Sequence, residues 1–448
     1  MTLRLSKALV QRGLSTHAAI GLLASALLYI VCLTGTVTVF YEEWQRLEQP
    51  DAPEMQRIAP DAVQRAVASV LASEKGRKAT EHLYVHLPTD ALPRATLTTD
   101  HQAVHVDAHG RVVAKELNGW SEFLLNLHYT LNIPGMVGLT IVGALGVMTL
   151  ALSLTGVIAH PRIFRDAFRL RARDQGGVGL ADWHNRLGVW TLPFALAIAL
   201  TGAMIGLGSI NAYGLAQGFY KGDVEAAYAP IFGKEGRPNA KAAPLADVAT
   251  ALRTMAVRFP DVRPTYVFMH EPGTVGQRLQ VLALPPRRLV YGETYNFDPA
   301  GRFLGTVGLA EGATGQQVAA SAYNLHFGNY GGLTVKIAYM LLGGALCVVI
   351  ATGTSIWLGK RERRGFRQPC LRNGWNAIVW GSGLALALTL LARLWLGNAA
   401  PFMAIFWLSL AVLVALGVAL PERYQARRAL QWGLGLCVAA LVPTVLAA

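Results

Sequence analysis

The sequence predicts a membrane all-α bundle of seven transmembrane helices, the first four an internal duplication, joined to two α+β domains outside the membrane. Three observations lead there. Of 448 residues, 53% are hydrophobic and only 15% charged, an apolar excess over an ordinary soluble domain. Seven stretches, at about 18–40, 136–159, 186–208, 333–358, 376–396, 401–420 and 428–447, each have the roughly 20 apolar residues that a bilayer core demands. Residues 14–160 and 181–358 read as two copies of one unit.

Residues 1–41 hold the N-terminus and span one. Arg4, Lys7 and Arg12 give it a basic start, but the apolar run outlasts a signal peptide and no small-residue cleavage site follows, so it is expected to be an anchor. Residues 42–127 form the first external domain, with a helix near Pro60–Leu71, strands at Leu83–Leu87, Arg94–Thr98 and Ala103–Asp107, and a turn before Arg111. Spans two and three, with a basic loop between them, occupy 128–208. The second external domain, 209–330, repeats the order of the first: VDAHGRVV at 106–113 answers FDPAGRFLG at 297–305. Span four (331–358) and a basic loop (359–375) precede three further spans in 376–448 that have no copy.

The formal charge of +13 could suggest nucleic acid, but the basic residues sit at span ends. Arg162, Arg165, Arg169, Arg171 and Arg173 follow span two; Lys360, Arg361, Arg363, Arg364, Arg367 and Arg372 follow span four; Arg423, Arg427 and Arg428 precede the last. By the positive-inside rule these loops and the N-terminus face the cytoplasm, both domains face outward, and seven spans leave the C-terminus outside. Four cysteines form no CxxC or disulfide pattern, and Cys32, Cys347 and Cys437, inside spans, read as small apolar fillers.

Four of the eleven histidines hold repeat-related places at span ends. His17 precedes Thr34–Gly35 by the interval that separates His184 from Thr201–Gly202, at the cytoplasmic face. His128 in NLHYTL and His326 in NLHFGNYGG match at the outer face. In a bundle built from two copies, equivalent positions face each other across the pseudo-symmetry axis. His17 is therefore expected opposite His184, and His128 opposite His326. Two facing imidazoles are what a six-coordinate, electron-carrying haem iron requires, so two b-type haems are expected. Zinc would need further Cys, Asp or Glu ligands that neither face supplies in sequence. His160, directly after span two, is an alternative inner ligand or a partner for a haem propionate. The pairs Thr34/Gly35, Thr155/Gly156, Thr201/Gly202 and Thr352/Gly353 suit close helix packing and, in a functional reading, make room for a flat macrocycle. His101, His105 and His109 are spaced like metal ligands, but on strand and turn they read, with His82, His86 and His270, as solvated surface.

The Leu-His segments, TG pairs and D-x-x-G-R turns together resemble the PepSY-associated transmembrane family over about 14–364. The resemblance implies two PepSY-like periplasmic domains, a bacterial inner-membrane location, and kinship with iron-regulated proteins and siderophore reductases. It carries haem ligation onto His17, His184, His128 and His326, with His160 as an additional candidate. An oxidoreductase of that kind would pass electrons from a cytoplasmic or quinol donor to a ferric siderophore or other Fe(III) chelate, whose oxygen donors grip ferric iron harder than the softer ferrous ion. Trp120, Tyr129, Tyr323, Tyr330 and Arg302 are the candidates for chelate contact. Two rival classes remain: a transporter or permease with alternating halves, which predicts discontinuous spans and midplane polar groups, with Pro193 and the glycines in its favour and the absence of intramembrane charge against it, and a membrane-anchored binding protein whose external domains engage a peptide or partner.

Overall fold

The computed structural model describes residues 5–166, 178–233, 238–286, 289–419 and 426–447. Arg169, Arg171, Arg173 and Arg423 of the basic loops lie outside them. The chain divides into two units, residues 1–41, 118–208 and 333–448 on the one hand and 42–117 and 209–332 on the other.

The first unit is helical. It holds α1 (Lys7–Thr38), α4 (Gly119–Thr130), α5 (Gly135–Ala159), the short α6 (Ile163–Asp166), α7 (Val178–Trp190), α8 (Leu192–Gly206), α13 (Gly332–Arg363), α14 (Pro369–Leu396), α15 (Phe402–Ala419) and α16 (Ala426–Ala447). Among the described residues five of these, α1, α5, α13, α14 and α15, are long and apolar enough to cross a membrane. The expected third span is not one straight helix. It breaks into α7 and α8 with a 65° bend, and the two together make at most a sixth span. The cause is Pro193 in the first turn of α8, where its ring and missing N–H stop the preceding helix at Trp190. At the seventh expected span stands α16, 22 residues long.

Local chemistry sets the ends. Ser6 caps α1 by accepting from the Leu9 amide (3.3 Å), and Pro369 opens α14. The helix α4 stops at Leu131 in the left-handed region (φ 55°). The helices beyond the duplication have a visible task. Trp120 on α4 is buried (1% exposed), and its indole N–H donates to Thr389 Oγ1 on α14 (2.9 Å). Phe123 meets the rings of Phe402 and Phe406 on α15, with centroids 6.0 and 6.1 Å away, and Trp407 donates to Asn132 Oδ1 (3.3 Å). The helices α14 and α15 therefore buttress α4, the carrier of His128.

The second unit holds α2 (Tyr41–Glu48), α3 (Pro60–Ser73), β1 (His82–His86), β2 (Ala95–Thr98), β3 (Ala103–Val106), β4 (Val112–Lys115), α9 (Gly208–Phe219), α10 (Val224–Phe232), α11 (Val248–Arg258), β5 (Arg263–His270), β6 (Arg278–Leu284), β7 (Glu293–Phe297), β8 (Phe303–Thr306) and α12 (Thr314–Phe327). Instead of two separate domains, the copies share a single antiparallel sheet in the order β4-β3-β2-β1-β5-β6-β7-β8. The seam is β1 against β5, with His82 opposite His270, Tyr84 opposite Phe268 and His86 opposite Tyr266. Alternation decides which way each strand faces. Leu83, Val85, Val267 and Met269 point to one side, where Val63, Val67 and Val70 of α3 and Val248, Leu252 and Met255 of α11 close over them in one continuous core. Gln64 of α3 ties the copies together, donating to Ala246 O (3.3 Å) and accepting from the Val248 amide (2.7 Å).

The D-x-x-G-R segments are turns of one design. Asp107 Oδ1 accepts from the amides of His109 and Arg111 (both 2.9 Å), and Asp298 Oδ1 from those of Ala300 and Arg302 (3.0 and 2.8 Å). Gly110 (φ 79°) and Gly301 (φ 75°) complete them in the left-handed region, and a Cβ on Gly110 would lie 2.0 Å from Ala62 O. The Arg111 amide and guanidinium hold the Asp107 carboxyl down at about 2.

His105 is buried, not solvated. Its Nε2–H donates to Gln49 Oε1 (2.9 Å), and it is 2% exposed. Alternation puts Val104 and Val106 in the core beneath α3 and α11 and His105 on the opposite face of the sheet, where Gln49 and Arg94 lie against it. Burial, with Arg94 nearby, lowers its pKa from 6.5 to about 4. A depressed pKa favours the folded state fully above pH 6.5, and that contribution drains away as pH falls toward 4. Unfolding of the full chain followed against pH should therefore show stability dropping across that interval, and His105→Gln should flatten the slope; an unchanged slope would refute it.

Candidate functional site

Three of the four histidines of the first unit, His17, His128 and His184, are seated alike. His17 lies on α1 and its Nδ1–H donates to Leu152 O on α5 (3.0 Å), with Thr155 Oγ1 at 3.3 Å. His184 lies on α7 and its Nδ1–H donates to Val349 O on α13 (2.9 Å), with Thr352 Oγ1 at 3.2 Å. His128, on α4, donates to Val31 O on α1 (2.9 Å). Because a carbonyl oxygen can only accept, Nδ1 carries the proton in all three rings, and Nε2 keeps its lone pair.

In each seat a glycine follows four residues after the accepting carbonyl, and its absent side chain leaves room for the ring. A Cβ on Gly35 would stand 2.5 Å from His128 Cε1; on Gly156, 3.3 Å from His17 Cε1; on Gly353, 3.2 Å from His184 Cε1. The threonine before the glycine turns its hydroxyl back to its own helix, as Thr155 does to Ala151 O (2.6 Å) and Thr352 to Val348 O (2.7 Å). Three of the four TG pairs, those at Gly35, Gly156 and Gly353, thus receive imidazoles, a role beyond the helix packing or macrocycle clearance expected of them. Ile198, Thr201 and Gly202 spell the same seat in the second copy.

The ring that faces His17 is that of His184: their centroids are 6.3 Å apart and their planes 79° from parallel. A metal–imidazole bond is about 2.0 Å, and a ring centre lies roughly 1.1 Å beyond its nitrogen, so two axial imidazoles put their centroids about 6.2 Å apart. Each such ring stands edge-on to the metal, and any mutual twist is allowed. A histidine that gives its second N–H to a carbonyl is also the usual arrangement of a metal-ligating one. Among the described residues no group of three or more His, Cys, Asp or Glu could hold a bare metal ion. A haem asks the protein for just two axial ligands, and the pair fits it.

Arg186, two residues beyond His184, is a further site residue, one that sequence pattern alone does not single out. It is 7% exposed, and among the described residues its Nε and Nη2 have no hydrogen-bond partner, nor has Asp182 Oδ2 one turn away. Its guanidinium lies 5.8 Å from the Trp190 ring centre. A buried cation left so calls for an anionic group.

The other expected residues are placed as follows. His326 is the penultimate residue of α12, in the second unit, as His128 is near the end of α4 in the first. His160 is the C-cap of α5, its carbonyl accepting from Ile163 (2.8 Å). Trp120 is buried in the contact with α14. Arg302 is exposed but ion-paired with Asp298 (2.7 Å), in a turn built like that of Arg111. Tyr323 packs edge to face on Tyr291 at 5.3 Å. Tyr129 (39%) and Tyr330 (47%) are exposed. Tyr129 also lines an open groove of about 740 Å³ between the α4–α5 turn and the start of α15, away from the paired histidines.

Comparison with known proteins adds that residues 14–360 match the family model described as PepSY-associated TM region. A relative in Pseudomonas aeruginosa, an uncharacterized protein, is 30% identical over 256 residues, which make up 54% of this chain and 64% of that protein. The chain therefore spans less than two thirds of that relative's length.

Proposed function

Since the chain belongs to the PepSY-associated transmembrane family, we propose that it is a di-haem electron-transfer protein of the bacterial inner membrane that reduces a ferric siderophore, or another Fe(III) chelate, on the periplasmic side. The observation that carries this reading is the pair His17–His184, ring centroids 6.3 Å apart and each ring tied through Nδ1 to a carbonyl of a neighbouring helix, which leaves Nε2 as the nitrogen that could hold a metal. His17 and His184 would hold the inner haem b, and His128 and His326 the outer one. A haem with both axial positions filled supplies one-electron transfer and no oxygen chemistry.

The chain's own part is placement and electrostatics. The Leu152 and Val349 carbonyls fix the tautomer of the inner ligands and raise their basicity. Arg186 would take a propionate of the inner group. By the positive-inside rule the N-terminus and the inner pair would lie at the cytoplasmic face, where a cytoplasmic or quinol donor delivers electrons. Helices α14 and α15 hold α4, and so His128, in position.

The test is the absorption spectrum of detergent-purified protein, oxidised and dithionite-reduced, with a pyridine haemochrome assay. Low-spin b-type bands and two haems per chain are expected, and adding a ferric hydroxamate should reoxidise the reduced protein. A colourless protein from haem-replete cells would sink the haem reading. A red protein that ferric chelates leave reduced would sink only the acceptor.

A further inference from the structure

We propose that Cys32 and Cys347 form a second redox site, a dithiol inside the helical unit that a lipid-soluble quinone oxidises to a disulfide. Cys32 sits on α1 and Cys347 on α13, helices that are both long and apolar enough to cross the membrane. Cys347 Sγ–H donates to Cys32 Sγ at 3.3 Å, and Cys32 Sγ–H donates to Gly343 O at 3.6 Å. A disulfide needs about 2.05 Å between sulfurs, so the pair is little more than an ångström short of a bond.

Packing alone does not ask for these sulfurs. The same helix contact exists in the other half of the duplication, where Gly146 of α5 meets Ala199 and Ala203 of α8 just as Gly343 of α13 meets Thr36 of α1. With His17 aligned to His184 and Gly156 to Gly353, the positions equivalent to Cys32 and Cys347 are Ala199 and Leu150. An apolar pair therefore serves on one side of the pseudo-two-fold axis and a thiol pair on the other. Beyond the apolar filling expected from sequence, the two thiols are in contact.

Their surroundings select the oxidant. Cys347 is buried, Cys32 is half-buried, and Tyr29, Leu33, Ile350 and Trp375 pack around them, an apolar setting in which a membrane-dissolved acceptor has the advantage over a water-borne one. Two S–H bonds break and one S–S bond forms. Both electrons and both protons pass to the quinone, whose carbonyl oxygens become the hydroxyls of a quinol. The site also neighbours the outer histidine seat, since Val31, next to Cys32, accepts from His128. The inference does not depend on the haem reading, because its readouts are thiols and quinol.

The experiment uses the full chain in lipid nanodiscs, incubated with or without a short-chain ubiquinone analogue, then unfolded in maleimide and mapped by peptide mass. The expected result is loss of label from Cys32 and Cys347 with Cys370 and Cys437 still labelled, a disulfide-linked peptide pair that dithiothreitol releases, and quinol formed mole for mole. Cys32→Ser should leave Cys347 labelled and drop quinol formation to background. Both cysteines remaining labelled, a disulfide joining other cysteines, or undiminished quinol from Cys32→Ser would each overturn the proposal. Should the variant fail to fold, the peptide map of the unaltered chain decides alone.

Discussion

On the proposed di-haem reading, His184→Ala is expected to leave one haem per chain instead of two, and Gly35→Ala to weaken the other without altering a proposed ligand. The first change deletes half of the facing pair, and His17 cannot hold a six-coordinate iron by itself. The second adds one methyl group at a point 2.5 Å from His128 Cε1, so the ring must retreat from the Val31 carbonyl that orients it. Overpacking of this kind costs about 1–3 kcal/mol, which, if borne by binding, is roughly 5- to 140-fold in the dissociation constant. The pyridine haemochrome assay on each variant checks both. If Gly35→Ala retains full haem while His128→Ala loses it, the glycine does not serve the histidine. If neither His184→Ala nor His17→Ala changes the haem content, the facing pair is not a ligand pair.

Trp120→Ala is expected to destabilise the helical unit by about 3–5 kcal/mol, the range for emptying the site of a large buried aromatic. Two terms are merged in that number, and magnitudes separate them. An interhelical hydrogen bond within a membrane averages about 0.6 kcal/mol and reaches about 1.7, so the bond to Thr389 is the smaller part. Trp120→Phe, which keeps most of the volume and drops the N–H, should cost no more than that. Thr389→Val should match it. Thermal unfolding of the three variants provides the comparison, and equal damage from Trp120→Phe and Trp120→Ala would show that the hydrogen bond, not the packing, holds α4 to α14.

Features that depend on local chemistry are the ones legible in the sequence. The duplication, the apolar runs and the Leu-His segments are written as intervals along the chain, so the meeting of His17 and His184 can be read from spacing alone. The 65° bend is legible only in part: Pro193 marks where span three could break, but a proline is also compatible with an unbroken span, and only the first turn of α8 shows it acting as a helix start. Burial of His105 depends on Gln49, 56 residues earlier in the chain, lying against the far face of the sheet, which no composition signals. The seam between β1 and β5 joins segments about 180 residues apart in the chain, and HLYVH and YVFMH each look like ordinary edges of separate domains. Trp120 and Arg302 fit an interfacial or substrate role by residue type, and only their partners, Thr389 and Asp298, show them to be occupied.

The seam also bears on ancestry. Its pairs run His82 with His270, Tyr84 with Phe268 and His86 with Tyr266, while the copies align His82 with Tyr266, Tyr84 with Phe268 and His86 with His270. Every contact is thus returned by its own equivalent, which is the rule of an isologous dimer. A half-length chain could make the same eight-stranded sheet, and the same facing imidazoles, by pairing with a second copy of itself. Gene fusion would then have gained what a homodimer forbids: the freedom to place a guanidinium, a proline break or a pair of thiols on one side alone.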